Sequence, residues 1–564
     1  MPADVFSLTW EAAAEEQGGA SAPERVKDRL KITQLVSPAV PVRVMHSTLQ
    51  QLEGSFSLPV AAPADALPEA GVKRGGIVVG VQPRLSGALP GMRRFFETYP
   101  FVCLEQKTSK AVGLKDAALW SAVANALPTY LDSDGLASYF PPRTEDGPRG
   151  SDRLTAYVIA ATHEAGFELP ASARSAMLDG LAAFVEGRIE RKFWSPKADL
   201  DVRKLAAIEA LSRHGRASPK MLGSIKLTPN VWPTAAVIDW LRILKKVEGI
   251  PNVAKRLEEA NQILRGRLTY AGTTLKFSNE EDDFWWWLMD SADANAARLI
   301  LAVLDDPAWK DDIPRMVVGS LGRQRGGAWL TTTANLWGSL ALDKFSARFE
   351  SVMVAGRTTA ALSGSNGAVD WAKSVDGGSI NLAWPAQPSP LTVAQDGSGK
   401  PWLTVQSLAA VPLKASIRAG YSVARSLIAV EQKDPASAKT GKWSRGDVLR
   451  VRLEVDAQSD MTWVVVSDPV PGGALILGSG RGRDSAIATS GEKRAGTAWP
   501  AFEERSFEAF RSYYEYLPRG KHVIEYSVRL NNPGKFSLPP TRVEAMYAPE
   551  SFGELPNAAL EVGP

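Results

Sequence analysis

Residues 98–110 read TYPFVCLEQKTSK and hold the only cysteine in a chain of 564 residues, with a glutamine three positions later. On the first turn of a helix, positions i and i+3 face the same side, so the sulfur of Cys103 can reach the side-chain amide carbon of Gln106. A helix N-terminus sheltered from water is expected to favour the thiolate and the oxyanion that forms on attack. Loss of ammonia then leaves a thioester between Cys103 Sγ and Gln106 Cδ. That bond is an acyl donor: an amine or hydroxyl attacks the former glutamine carbonyl and releases the thiol, provided water has been kept out until then. Tyr99, Phe101 and Tyr139 are residue types suited to such a shield. The competing reading is a buried thiol serving as a small hydrophobe. The spacing by itself leaves both open.

The remaining composition narrows the setting. A chain of this length divides into several domains. Lys plus Arg number 65 against 62 for Asp plus Glu, a net charge of +3, so there is no electrostatic case for nucleic acid or an anionic membrane. One cysteine excludes an internal disulfide framework, and His46, His163, His214 and His522 are too scattered for a metal cluster. Neither a metal nor a cofactor is expected. No run of apolar residues is long enough to span a bilayer, and MPADVFSLTWEAAAEEQGGA has no basic start followed by an apolar core, so no signal peptide is read there. The expectation is a cytoplasmic protein or a piece of an exported one.

Three textures follow one another. Residues 1–80 form a partial β region in which VPVRV, SFSLPV and GGIVVGV read as short strands. Residues 81–345 are dominated by helical periodicity. In SDRLTAYVIAATHEAG, for example, Leu154, Tyr157, Val158, Ala161 and Ala165 form one stripe between a Ser151 cap and a Gly166 stop. Ten to twelve such helices with short connections suit a solenoid or a closed α/α toroid. From residue 346 the period becomes two, as in DVLRVRLEV, and two β-sandwich regions are expected, 346–430 and 431–564. The stretch 485–520 is expected to be a long surface loop.

YPFVCLEQ resembles the thioester motif of the α-2-macroglobulin family, whose bacterial form is usually Tyr-Pro-Tyr-Gly-Cys-Leu-Glu-Gln. Tyr99, Pro100, Cys103, Leu104, Glu105 and Gln106 match, Phe101 is a conservative change, and Val102 stands in place of the usual glycine. SDRLTAYVIAA, AWLTTTANLWGSLAL and GKFSLPPTRVEAMYAPE resemble further family segments in the same order. The resemblance implies a multidomain α + β fold, with an α/α toroid thioester domain flanked by CUB-like and macroglobulin-like β-sandwiches. It also implies a single-turnover inhibitor that traps proteases covalently and is not a turnover enzyme. Cys103 would be the thiol partner, Gln106 the acyl donor, and Glu105 would shape the turn. Bacterial relatives are periplasmic, often held at the inner membrane, and are associated with a peptidoglycan-synthesising penicillin-binding protein. The chain is shorter than complete family members, so an N-terminal macroglobulin and bait portion is expected as a further partner.

Other residues offer weaker alternatives. Some relatives pass the acyl group through a histidine, but His163 and His214 read as helix-surface and helix-end residues, which leaves direct amine attack. NEEDDFWWWLMD, residues 279–290, sets carboxylates beside tryptophans in the manner of a sugar cleft, as in an α/α-toroid carbohydrate-active enzyme using an Asp or Glu near Trp285, with Glu281 or Asp282 the residue whose replacement would abolish activity. It reads more simply as the acidic start of a helix whose core-facing body begins at Trp285. GSLGRQRGG, residues 319–327, reads as a loop and not a phosphate cradle. A homologue without a thioester, serving only as an interaction module, is the remaining alternative, and Val102 is the feature that favours it.

Overall fold

The computed structural model describes residues 7–15, 27–85, 89–142, 147–272, 274–277, 283–433, 442–478, 489 and 491–564. The helices of its middle region are α1 (Pro90–Thr98), α2 (Leu104–Gly113), α3 (Ala117–Ala126), α4 (Asp152–Ala165), α5 (Ala171–Val185) and α6 (Leu200–Ser212). They continue with α7 (Thr234–Lys246), α8 (Val253–Gly266), α9 (Ala292–Val303), α10 (Ile313–Leu321) and α11 (Thr332–Phe349). Ser151 caps α4 by accepting from the Leu154 amide, and Gly166 ends it with φ +74°, a left-handed turn that glycine adopts without a Cβ clash.

The helices sort by how much of their circumference is buried. α7 is buried from Thr234 to Leu244 and α11 from Thr332 to Leu342, whereas α3 and α8 each bury only two residues. A helix buried on all sides has neighbours on all sides. Accordingly α2 packs on α4, α4 on α6, α6 on α7, α7 on α9, α9 on α11, and α11 on α2 again. The approach of α11 to the preceding chain is close: a Cβ on Gly338 would lie 2.0 Å from the Trp329 ring.

The extended segments before and after the helices belong together. One sheet has the order 365–370, 357–362, 389–396, 55–60, and its companion has 378–382, 75–82, 402–409, 43–51. Their facing residues, among them Val79, Val81, Trp371, Leu391 and Val405, make one core, so the helical segment is an insertion between strands of a single sandwich. The N-terminal strands Ser7–Glu15 and Lys27–Leu35 pair only with each other among the described strands.

The second sandwich begins earlier than the expected boundary at residue 431. Strand Tyr421–Glu431 pairs along its length with Val448–Ala457, which places it in the C-terminal unit. Its larger sheet has the order 417–419, 552–555, 541–545, 461–469, 509–517, 502–505. The stretch read as a surface loop therefore contains strand Ala509–Leu517, an inner strand of that sheet. Its alternation was hidden because both of its faces carry aromatics. Phe510 and Tyr514 point into the sandwich core, while Tyr513 points into the helical core. Val464 and Val466 divide from Trp463 and Val465 in the same way, while Met546 and Tyr547, in the turn that follows strand Thr541–Ala545, both join the helical core and Val543 and Ala545 the sandwich core. Successive residues alternate across a strand, so a sheet covered on both faces contributes to two cores at once.

Candidate functional site

Cys103 is the N-cap of α2, with extended backbone (φ −72°, ψ 172°), and Gln106 is the third residue of the helix. The two form a reciprocal capping box. Cys103 sulfur faces the Gln106 amide N–H, and the Cys103 N–H donates to Gln106 Oε1 at 2.9 Å. Serine or threonine usually occupies the first position of this motif. With a thiol there instead, the fold-back that satisfies the helix end also brings the carboxamide of Gln106 back to the residue that carries the sulfur. Both residues are buried, Cys103 completely and Gln106 to 3 % exposure.

The expectation that the helix end would hold a thiolate is corrected by the burial. Loss of solvent pushes the Cys103 thiol well above its ordinary range, and the nearby Glu105 adds to this. The N–H groups of Gln106 and Glu105 and the hydroxyl of Tyr547 act in the opposite direction and do not prevail. Desolvation penalises the charged form more than a single helix terminus favours it.

Glu105 is fully buried and, among the described residues, has no lysine or arginine in ion-pair contact. Hydroxyl groups hold it instead. Thr332 Oγ1 donates at 2.9 Å and 3.0 Å to its two oxygens, Ser109 Oγ at 2.5 Å and Tyr547 OH at 2.9 Å. Burial raises its carboxyl above the usual range, and these three donors only partly offset that.

The lid over this turn comes from the C-terminal sandwich. Gln106 Nε2 contacts Met546 Sδ at 3.0 Å. Trp463 lies on Tyr139 with ring centroids 3.8 Å apart, and Tyr139 carbonyl accepts from the Leu104 N–H at 2.8 Å. Phe101 meets Tyr513 edge-on at 6.3 Å, while Tyr99 packs against Phe101 at 5.4 Å from a half-buried position. Trp463 (φ +51°) and Met289 (φ +61°) both hold left-handed backbone beside Tyr139, whose hydroxyl contacts Met289 Sδ at 3.2 Å. Such conformations cost a side-chain-bearing residue about 1–2 kcal/mol and collect where packing imposes them. Pro100 and Val102 are exposed and Leu104 is buried. Val102 is not among the left-handed residues, so a side chain is accommodated where the motif usually has glycine.

Trp463, Met546 and Tyr547 were missed as site residues. In sequence they look like ordinary members of a period-two strand, and the one available signal was the run TWVVV, apolar on both faces.

The other candidates lie elsewhere. His163 and His214 stack edge to face at 5.2 Å on the helical surface, and both are made harder to protonate, first by burial and then by Arg213 and Lys246 for His163, and by Arg174 and Arg213 for His214. Glu281 and Asp282 lie outside the described residues. Where a helix body was expected from Trp285, there is a single 3₁₀ turn at Trp286–Leu288. Asp283 does serve a helix terminus, but that of α7: it accepts from the Thr234 N–H at 2.9 Å and 3.0 Å. GSLGRQRGG begins within α10, where Gly319 lies, and runs into a turn. Among the described residues there is no cluster of three or more metal-ligating side chains, and no helix long and apolar enough to cross a membrane.

Residues 420–550 match the family model of the bacterial alpha-2-macroglobulin MG10 domain. An alpha-2-macroglobulin homolog from Nostoc sp. (strain PCC 7120 / SAG 25.82 / UTEX 2576) is 23% identical over 460 residues, covering 76% of this chain and 23% of that protein. The chain thus spans under a quarter of the length of that curated relative. The native Escherichia coli alpha-2-macroglobulin fragment from domain MG7 to the C-terminus superposes with a TM-score of 0.67 at 18% identity, covering 99% of this chain and 88% of that one. Salmonella alpha-2-macroglobulin reacted with methylamine gives 0.68 at 18% identity, covering 99% of this chain and 36% of that one. The fold is therefore mixed helix and β-sheet of the kind found in the C-terminal domains of those proteins, and the domain match, the curated relative and the structural neighbours together support a bacterial alpha-2-macroglobulin family member.

Proposed function

We propose that this chain is the effector portion of an alpha-2-macroglobulin-type protease inhibitor, which captures its target through a thioester between Cys103 and Gln106. The observation that carries the reading is the reciprocal capping box, buried beneath Trp463, Met546 and Tyr547. The cyclic order of helix contacts supports treating the helical unit as an α/α toroid thioester domain, with the capping box at the start of one of its inner helices. In the forming step, Cys103 Sγ bonds to Gln106 Cδ, the Cδ–Nε2 bond breaks, and the thiol proton leaves with ammonia. In the capture step, an amine of the protease attacks Cδ, the Cδ–Sγ bond breaks, and a proton from the amine returns to the sulfur. One acyl group is consumed per event, so the protein acts once as an acyl donor.

In this reading the chain works within a longer inhibitor, in which upstream macroglobulin domains and a bait segment supply the trigger. The site would then face the periplasm or the inner-membrane surface, with a peptidoglycan-synthesising penicillin-binding protein as a further partner. The test is intact mass and thiol labelling before and after methylamine. A mass one ammonia below the sequence value, with Cys103 unlabelled until methylamine is added, is the expected result. A full sequence mass with Cys103 labelled from the start, and Gln106 mapped as an intact amide, would sink the proposal.

One observation favours a second reading. The capping box already satisfies Cys103 and Gln106 by hydrogen bonds, and burial keeps the thiol protonated. A homologue that uses these residues only to start α2 would be an interaction module without covalent chemistry, and the same labelling experiment separates the two. For the carbohydrate-active reading, Asp283 is already engaged in capping α7, and saccharide hydrolysis lost on replacing Glu281 or Asp282 would be needed to sustain it.

A further inference from the structure

The smaller sheet of the C-terminal sandwich has the order 421–431, 448–457, 520–530, 474–476, so strand Tyr421–Glu431 is its edge. Alternation along that strand sets Arg425 and Leu427 on one face, opposite Leu453 and Val451, which both lie in the sandwich core. On the other sheet, strand Phe552–Leu555 ends and residues 556–559 run as irregular chain to the last strand, Leu560–Gly563. Between the edge strand and this segment lies a cleft of about 320 Å³, lined by Arg425, Leu427, Leu449, Val451, Leu538 and Leu560 among others. That volume falls at the lower end of small-ligand pockets, ~300–1,000 Å³.

Arg425 alone among the lining residues is charged, and its side chain is only 10 % exposed. Its ion pair uses a single nitrogen. Nε donates to both oxygens of Asp468 at 3.0 Å. That carboxylate is fully buried, forms no part of the lining, and also accepts from Tyr526 OH at 2.5 Å and from Thr541 Oγ1. Arginine commonly meets a carboxylate through two nitrogens at once. Here neither Nη1 nor Nη2 has a hydrogen-bond partner among the described residues. Asn557, the other hydrogen-bonding side chain of the lining, is engaged with the Pro539 carbonyl at 2.8 Å and Thr541 Oγ1 at 3.0 Å.

The cleft therefore combines apolar walls with the free edge of one guanidinium. Donors of a desolvated cation are costly to leave unmet. Water would meet them but would leave the leucine and valine walls wet. An apolar body ending in a carboxylate satisfies both, because the planar edge of a guanidinium matches two carboxylate oxygens. We propose that this cleft binds a small carboxylate with an apolar body, held by Arg425 through Nη1 and Nη2. A free aliphatic acid and the apolar C-terminal residue of a peptide present that same chemistry. No lining residue belongs to the Cys103 turn, so the site stands apart from the thioester reading.

The test is calorimetric titration of the whole chain with octanoate, octanamide and N-acetyl-leucine. Octanoate should bind with a Kd of about 1 mM or tighter, as suits a ligand of its size. Octanamide has the same shape without the charge and should bind about 10-fold more weakly. N-acetyl-leucine binding more tightly than octanoate assigns the cleft to a peptide end, and the reverse order assigns it to a free acid. Ala559→Trp sets a large ring on an exposed part of the rim, leaves the ion pair intact, and should remove octanoate binding without lowering the thermal midpoint. Arg425→Gln should erase the preference for octanoate over octanamide. If that variant does not fold, because Asp468 has lost its cation, Ala559→Trp and the octanamide comparison decide without it. Three results would overturn the proposal: equal binding of octanoate and octanamide, no binding of either acid at about 10 mM, or octanoate binding that Ala559→Trp leaves unchanged.

Discussion

Tyr139 of the helical unit and Trp463 of the C-terminal sandwich lie ring against ring with centroids 3.8 Å apart, and the Tyr139 carbonyl accepts from the N–H of Leu104, next to Cys103. This contact joins the two units directly over the turn that carries the candidate chemistry. Replacing Trp463 by alanine removes a large buried ring and should cost about 3–5 kcal/mol of stability. It should also admit water and reagents to the turn. Denaturant melts give the first quantity, and the rate of Cys103 labelling in the native protein gives the second. Labelling no faster than in the wild type would mean that Trp463 is packing and not a seal.

Val102 offers the opposite expectation. It is 40% exposed and has ordinary backbone, so nothing about the turn requires glycine there. Val102→Gly should change stability by no more than about 1 kcal/mol, chiefly through the freedom it adds to the unfolded chain. It should leave the labelling behaviour of Cys103 unchanged. A rise in closed thiol in the variant would show that valine impedes the turn.

Gly338 reports on the helical unit. A methyl group there meets Trp329 at 2.0 Å, with no flexible side-chain end to give way. Gly338→Ala should therefore destabilise the protein by about 1–3 kcal/mol, the usual range for overpacking a filled core. This would hold even though alanine is the better helix former. A thermal melt at or above the wild-type midpoint would refute the tight contact.

His163 and His214 should contribute to acid lability. His163 is lowered to about 4, first by burial and then by Arg213, Lys246 and His214, with Glu164 opposing. His214 is lowered as well, by burial, Arg174, Arg213 and Lys246. A group whose folded value is depressed binds protons more readily when unfolded. Its contribution is therefore fully present above the unfolded value, about 6.5, and is lost as pH falls toward 4. The double variant His163→Gln, His214→Gln should lose less stability between those two pH values than the wild type. Melts across that window that remain superimposable would exclude the pair as a source of pH dependence.

How far the site was legible follows from the range of each interaction. The Cys103–Gln106 relationship could be read locally, because a capping box depends on three residues of spacing and on the first turn of one helix. The stripe of α4 was legible for the same reason. The 3₁₀ turn at Trp286 was not, because acidic residues followed by tryptophans suit a helix start equally well. Which terminus Asp283 would serve was settled only by the arrival of Thr234 beside it. Strand Ala509–Leu517 was taken for a loop because period-two patterning fades when a strand is covered on both faces.

The sequence by itself determined which long regions are helical and which are extended, and the spacing that sets Cys103 and Gln106 on one helical turn, since helical and strand periodicity and capping are set by neighbours along the chain. Only the tertiary structure decided that Met546 would meet Gln106, that Trp463 would lie on Tyr139 beside that turn, and that Glu105 would be held by hydroxyls, Tyr547 among them, and by no cation among the described residues. It also decided that the thiol would stay protonated. Those outcomes depend on which surfaces dock and how completely they exclude water, and loss of solvent is a property of the assembled fold that no local spacing encodes.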